Sequence, residues 1–178
     1  MLVVATRLEA HLRSICQRGT GSKSEDDQQP ETLPDKYESG NHNAPGLVGL
    51  DAALSELTRR GLDDIRRHEV EILSQLLEEL RGIPGVRLHQ DVEAKERVGV
   101  VSLTLSSLAP QEAAAILDEH FGIETRAGLH CAPGAHRALG TLEQGGTLRL
   151  SPGPFTTSEE IDLVIEAVRA LETGSRPR

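Results

Sequence analysis

At 178 residues and 37% hydrophobic content the chain is long enough to bury a core, as one substantial domain or as a small domain plus a piece of another. A formal net charge of -9, with two Phe, one Tyr and no Trp, leaves neither a basic face for phosphates nor a stacking platform, which excludes a nucleic-acid partner. No apolar run approaches the roughly 18 residues that span a bilayer, and the opening apolar residues are too few for a signal core, so no membrane is expected and the reading is cytoplasmic.

In chain order, residues 2 to 5 form a short apolar run, read as a strand. Residues 19 to 43 are rich in Gly, Ser, Asp, Gln and Pro, and composition alone favours disorder there. The pattern turns helical from Pro45 to Arg60, with Gly61 as the stop. A second helix places Ile65, Ile72, Leu73, Leu76, Leu77 and Leu80 at helical spacing and ends between Gly82 and Gly85. Residues 86–89 and 98–105 read as strands separated by a charged turn. A helix over 111–121 follows Pro110, then come a strand over 123–126, a short helix over 133–139 and a strand over 148–150. Thr157 and Glu160 form a capping box ahead of Ile161, Val164, Ile165, Val168 and Leu171, and residues 174–178 are a tail. From residue 86 onward this order predicts a small α+β sheet covered by helices on one side.

The chemistry concentrates around Cys131, in Arg126-Ala-Gly-Leu-His-Cys-Ala-Pro-Gly, between a predicted strand and a helix opened by Pro133. A helix start, an arginine and a histidine all favour the nucleophilic thiolate, so Cys131 is a candidate nucleophile, with a small structural cysteine in a turn as the alternative. Two cysteines are too few for a disulfide framework, and Cys16, with no histidine beside it, reads as structural. His130, Cys131 and His136 lack the second ligand pair of a zinc site, so no metal is expected. Arg149, in Gly-Thr-Leu-Arg-Leu-Ser-Pro, is a charge inside an apolar strand and needs a partner: a bound carboxylate held by two parallel hydrogen bonds, or an internal one such as Glu124.

Two segments, Arg126-Ala-Gly-Leu-His-Cys-Ala-Pro and Gly146-Thr-Leu-Arg-Leu-Ser-Pro-Gly-Pro-Phe-Thr-Thr-Ser-Glu-Glu-Ile-Asp, resemble the active-site cysteine and C-terminal arginine segments of class V aminotransferases of the cysteine desulfurase-like branch. Upstream, Gly19-Thr-Gly-Ser-Lys-Ser-Glu and Tyr37-Glu-Ser-Gly-Asn-His-Asn-Ala-Pro-Gly-Leu-Val-Gly-Leu are similar to the loop such enzymes place near the active site, which implies an ordered segment where composition favours disorder. The four motifs stand in the family's order over nearly the whole chain. The resemblance implies the α/β architecture of a fold-type I transferase dependent on pyridoxal 5'-phosphate (PLP) and working as a homodimer. Residues 1–80 would complete the large PLP-binding domain, with the strand, the active-site loop and two helices, and residues 81–174 would form the small C-terminal α+β domain.

The activity implied is removal of sulfur from L-cysteine as a persulfide on Cys131 with release of alanine, the sulfur passing on to an acceptor protein. Arg149 would hold the substrate carboxylate with Arg126 in support, and Asn41 and Thr20 would contact the cofactor. Two departures from the family pattern stand out. Asn41 occupies a position usually held by threonine, and a Ser-Gly-His-Lys type segment for the cofactor lysine is absent from these 178 residues, whose lysines are Lys23, Lys36 and Lys95, all read as solvated. The alternative is a truncated, non-catalytic domain that keeps the fold for dimerisation or for accepting sulfur.

Overall fold

The computed structural model describes residues 4–8, 10–15, 30–38, 40–89 and 92–174, and these fall into two units divided between Arg59 and Arg60. In the first unit, of the strand expected over 2–5 only Val4 and Ala5 are described, and they lie outside any regular element, just before a 3-10 turn over Thr6–Leu8. Of the loop expected over 19–43, residues 30–38 and 40–43 are described; 19–29 lie outside the described residues. The helix α1 runs over Ala44–Arg60, and the Asn43 side chain accepts the Gly46 N–H at 3.1 Å, satisfying one of the orphan donors at its start. No residue of α1 is buried, and Leu47, Val48, Leu50, Leu54 and Leu57 are exposed. Lys36 departs from the solvated reading: it is 6% exposed, its Nζ lies 3.2 Å from Glu31, and it sits 6.0 Å from the Tyr37 ring. A buried ammonium needs such a partner to offset its lost hydration.

In the second unit, α2 (Leu62–Arg81) buries Ile72, Leu73, Leu76, Leu77 and Leu80, the single stripe that helical spacing dictates. Four strands, β1 (Val86–Leu88), β2 (Val101–Leu105), β3 (Arg126–Gly128) and β4 (Thr147–Leu150), form one sheet in the order β1-β2-β4-β3 with every pair antiparallel. Three helices, α3 (Pro110–Phe121), α4 (Pro133–Leu139) and α5 (Ser158–Thr173), alternate with the later strands. The element order from residue 86 is the one the periodicity predicts. Leu103 pairs with Leu148 and Val101 with Leu150, and these side chains meet α2, α3 and α5 in one core with Leu117, Ile161, Ile165 and Val168. The capping box of α5 forms in both directions, Glu160 N–H donating to Thr157 Oγ1 at 3.2 Å and Thr157 N–H to Glu160 Oε2 at 2.9 Å.

Two strands begin later than the sequence suggests. After α3, Gly122 adopts a left-handed φ of 66° while the Gly122 and Ile123 N–H groups donate to Asp118 O and Leu117 O, so the helix exit uses residues that would otherwise extend β3. Ahead of β2, the supposed charged turn holds a 3-10 turn over Ala94–Glu96 and a buried Arg97 whose Nη2 donates to Val100 O at 2.8 Å, leaving Val98 exposed and unpaired in the sheet. The helix α2, grouped from sequence with the large-domain remnant, packs in the core of the second unit.

Candidate functional site

Alternation along β4 separates two jobs. Leu148 and Leu150 point into the helical core, so Arg149 points to the opposite face of the sheet. The register places it between Ser102 on β2 and Arg126 on β3, which brings the two arginines named from sequence side by side. Among the described residues the buried Arg149 Nε has no hydrogen-bond partner, and Arg149 makes no ion pair with Glu124, which is exposed. A buried guanidinium N–H without an acceptor is a cation awaiting an anion.

Beyond β3 the chain makes a tight turn over residues 129–132, closed by the Ala132 N–H donating to Leu129 O at 2.8 Å. Its two central residues, His130 and Cys131, have φ of 51° and 59°. Two successive left-handed residues define the mirror-image turn usually filled by Asn-Gly, and nothing in Leu-His-Cys-Ala announces it. Cys131 is exposed at this turn, directly before α4. His130 Nε2 lies 3.2 Å from both Thr147 O and Thr147 Oγ1, which ties the turn to β4. Its ring centroid is 5.7 Å from that of His136, which is 4% exposed and has Nδ1 2.8 Å from Thr141 Oγ1. Burial first, and the Arg149 guanidinium second, push the His130 imidazole below the ordinary histidine range, against the pull of the Thr147 carbonyl. His89, whose Nε2 lies 3.0 Å from Thr104 Oγ1, is lowered for related reasons: burial first, then Arg87 and His136.

Gly146 fixes the approach of this turn to β4. At φ 99° it sits against the backbone of Gly128 and Leu129, where any Cβ would collide with the Gly128 carbonyl. Gly146→Ala is therefore expected to destabilise the second unit by at least about 2 kcal/mol, combining a left-handed alanine with a backbone clash. A urea midpoint equal to that of the unchanged chain would rule this close approach out.

The histidines also set a pH dependence. With folded values depressed, the unfolded chain binds protons that the native state refuses once pH drops below about 6.5, the ordinary histidine value. Their contribution to stability is complete above that pH and lost as pH falls through the window beneath it. Denaturation midpoints are expected to fall between about pH 7 and pH 5.5, and less steeply in a His89→Gln variant.

Of the sequence-named residues, the structure brings Arg126, Arg149 and the Cys131 turn together on β3, β4 and their connection. Asn41 is exposed in the first unit, and Thr20 lies outside the described residues. From sequence, a histidine beside the thiol counts as an influence on Cys131, and His130 and His136 otherwise appear only with Cys131 in the rejected metal set; their signal is position, one beside the thiol and one five residues beyond it. A cleft of about 340 Å³ at the far end of β4, lined by Phe121, Glu124, Pro152 and Glu160 among others, includes none of these residues and is not this site.

The profile of the family described as Aminotransferase class-V matches residues 2–164, and the chain belongs to that family. Among curated relatives, a probable cysteine desulfurase of Methanothermobacter thermautotrophicus is 34% identical over 83% of this chain and 36% of its own length. Another probable cysteine desulfurase, from Mycolicibacterium paratuberculosis, is 40% identical over 79% of this chain and 20% of its own length. Among solved structures, the apo cysteine desulfurase of Thermococcus onnurineus superposes with a TM-score of 0.74 at 32% identity, over 83% of this chain and 36% of that one. A cysteine desulfurase of Escherichia coli gives 0.66 at 28% identity, over 82% and 35%. The chain thus spans about a third or less of the length of these relatives.

The residues present fit one part of such a site better than another. The buried Arg149 Nε suits a carboxylate. For a lysine-anchored cofactor the described residues do not fit: Lys36 is held against Glu31, and Lys95 against Glu93 at 2.7 Å.

Proposed function

We propose that this chain supplies the sulfur-accepting part of a PLP-dependent cysteine desulfurase acting on L-cysteine. The observation that carries the reading is an exposed Cys131 on a left-handed turn, tied through His130 to the strand whose Arg149 keeps a buried N–H with no partner among the described residues. Arg149 takes the substrate carboxylate in the fork geometry that a guanidinium offers, with Arg126 alongside adding positive charge. Cys131 takes the sulfur: its thiol and L-cysteine become a persulfide and alanine, an exchange that balances without an added oxidant. The cofactor lysine is assigned to residues outside this chain, and Asn41 and Thr20 are the cofactor contacts suggested by the family pattern. Residues 1–80 are proposed to complete the large domain, and the exposed leucines of α1 to be covered within a homodimer of the whole protein. A sulfur-acceptor protein would approach at the exposed turn.

The ion-paired state of Lys36 and Lys95 favours a second reading, a non-catalytic domain that only accepts sulfur on Cys131. One experiment separates the two. The chain is fused into the Methanothermobacter relative in place of its matching third, given PLP and L-cysteine, and followed for alanine release and for the mass of one added sulfur on the Cys131 peptide. Both signals, with sulfur loading lost in Cys131→Ser, are expected. Alanine without sulfur on Cys131 would sink the assignment of the thiol. No alanine, with loading of Cys131 from a small persulfide donor, would establish the second reading. The chain by itself, with PLP added and the excess removed, is expected to retain no visible absorbance from a lysine-bound cofactor.

A further inference from the structure

The four strands of the second unit carry three arginines, Arg87, Arg126 and Arg149, and no carboxylate, in a chain whose net charge is -9. Alternation decides which way they face. Val101, Leu103, Leu148 and Leu150 are buried in the helical core, which turns Ser102, Thr104, Thr147 and Arg149 to the opposite face of the sheet. The pairings of Arg87 with Thr104 and of Arg126 with Arg149 put the other two arginines on that same open face. Three strand hydroxyls stand among them. Thr104 Oγ1 lies 3.0 Å from His89 Nε2, and Thr147 Oγ1 lies 3.2 Å from His130 Nε2, so an imidazole engages each. Ser102 differs: it is half-buried, and among the described residues its hydroxyl has no hydrogen-bond partner. It is also the direct partner of Arg149 across β2 and β4, so Arg149 is flanked at one level of the sheet by Ser102 on one side and Arg126 on the other. Direct partners hold their Cβ atoms about 4.5–5.5 Å apart, which sets the serine oxygen beside the inner half of the arginine side chain, the half that ends in Nε.

We propose that Ser102 is a substrate-positioning residue, its hydroxyl donating to the carboxylate that Arg149 holds. The two groups divide the work. The guanidinium supplies charge and a planar fork, and the hydroxyl supplies a neutral donor from the flank, so the carboxylate is fixed in its rotation as well as in its place. Arg126, on the other flank, adds positive charge and leaves Ser102 as the uncharged donor at this level of the sheet. A site built only from donors takes a free carboxylate and rejects the corresponding amide, whose own N–H groups would meet the guanidinium without an acceptor. The inference rests on Arg149 being the carboxylate site, and it adds the residue that orients the carboxylate there.

The test is binding of L-alanine, the product of the proposed reaction, to the purified chain, with L-alaninamide as the control that lacks a carboxylate. Binding is followed by nitrogen–proton NMR of the β4 backbone amides and of the Arg149 Nε–H. Alanine is expected to shift these resonances to saturation and alaninamide to leave them in place. Ser102→Ala is expected to weaken alanine binding roughly tenfold, the loss of one hydrogen bond to a charged group. Its urea midpoint should match that of the unchanged chain, because the hydroxyl removed has no partner in the fold without ligand. Ser102→Thr keeps the hydroxyl on a residue suited to a strand and is expected to restore binding. Alanine bound equally well by Ser102→Ala, with binding lost in Arg149→Ala, would overturn the proposal and leave the Arg149 reading intact. An unchanged chain that does not respond to alanine would remove the carboxylate from Arg149, and the role of Ser102 with it.

Discussion

Leu148→Ala is expected to destabilise the second unit by about 3 kcal/mol, within the 2–5 kcal/mol range of buried leucine truncations, and to lower its melting temperature by roughly 10 °C. Leu148 is fully buried, pairs with Leu103 across one strand boundary and with Ala127 across the other, and is covered by the helices of the core. Truncation there leaves a cavity between the sheet and the helices that cover it, beneath the β3–β4 pairing that sets Arg126 beside Arg149. The loss is measured by urea denaturation of the purified chain. A shift below about 1 kcal/mol would mean that the sheet and helices collapse around the gap and that the core is less constrained than the packing implies.

Arg149→Ala, one residue further along the same strand, is expected to do the opposite. Among the described residues nothing accepts from its buried Nε, so its removal should leave the urea midpoint unchanged or slightly raised. In the fused chain, though, losing a charge-assisted contact to the substrate carboxylate should raise KM for L-cysteine by roughly thirty- to 150-fold, corresponding to about 2–3 kcal/mol. Arg149→Lys keeps the charge but not the planar fork, and should fall between the two. A large stability loss with an unchanged KM would show that Arg149 is a structural cation and would remove the carboxylate from the site.

The contrast between these neighbours shows how far the sequence could be read. Alternation in Thr-Leu-Arg-Leu identifies Arg149 as the odd charge of a strand, and composition cannot say whether Glu124 or a ligand answers it. The register decides: it sets Arg149 next to a second arginine, and Glu124 remains exposed without pairing to it. Lys36 is the reverse case, a residue in a polar stretch that burial against Glu31 and Tyr37 takes out of solvent. β3 was displaced by a local event, a left-handed helix exit at Gly122, that a hydrophobic pattern does not encode.

By itself the sequence determined the order of helices and strands after residue 86, the capped final helix, the thiol at Cys131 and the resemblance to class V aminotransferases. These follow from short-range signals, since periodicity, caps and motifs act over a few residues. Only the tertiary structure decided that His130 and Cys131 share a left-handed turn, that the His130 ring lies against Thr147, and that Arg126 and Arg149 stand side by side. Each of these depends on a β3–β4 pairing between residues some twenty positions apart along the chain. Strand register is set by which side chains can share the buried face, and no local pattern carries that information.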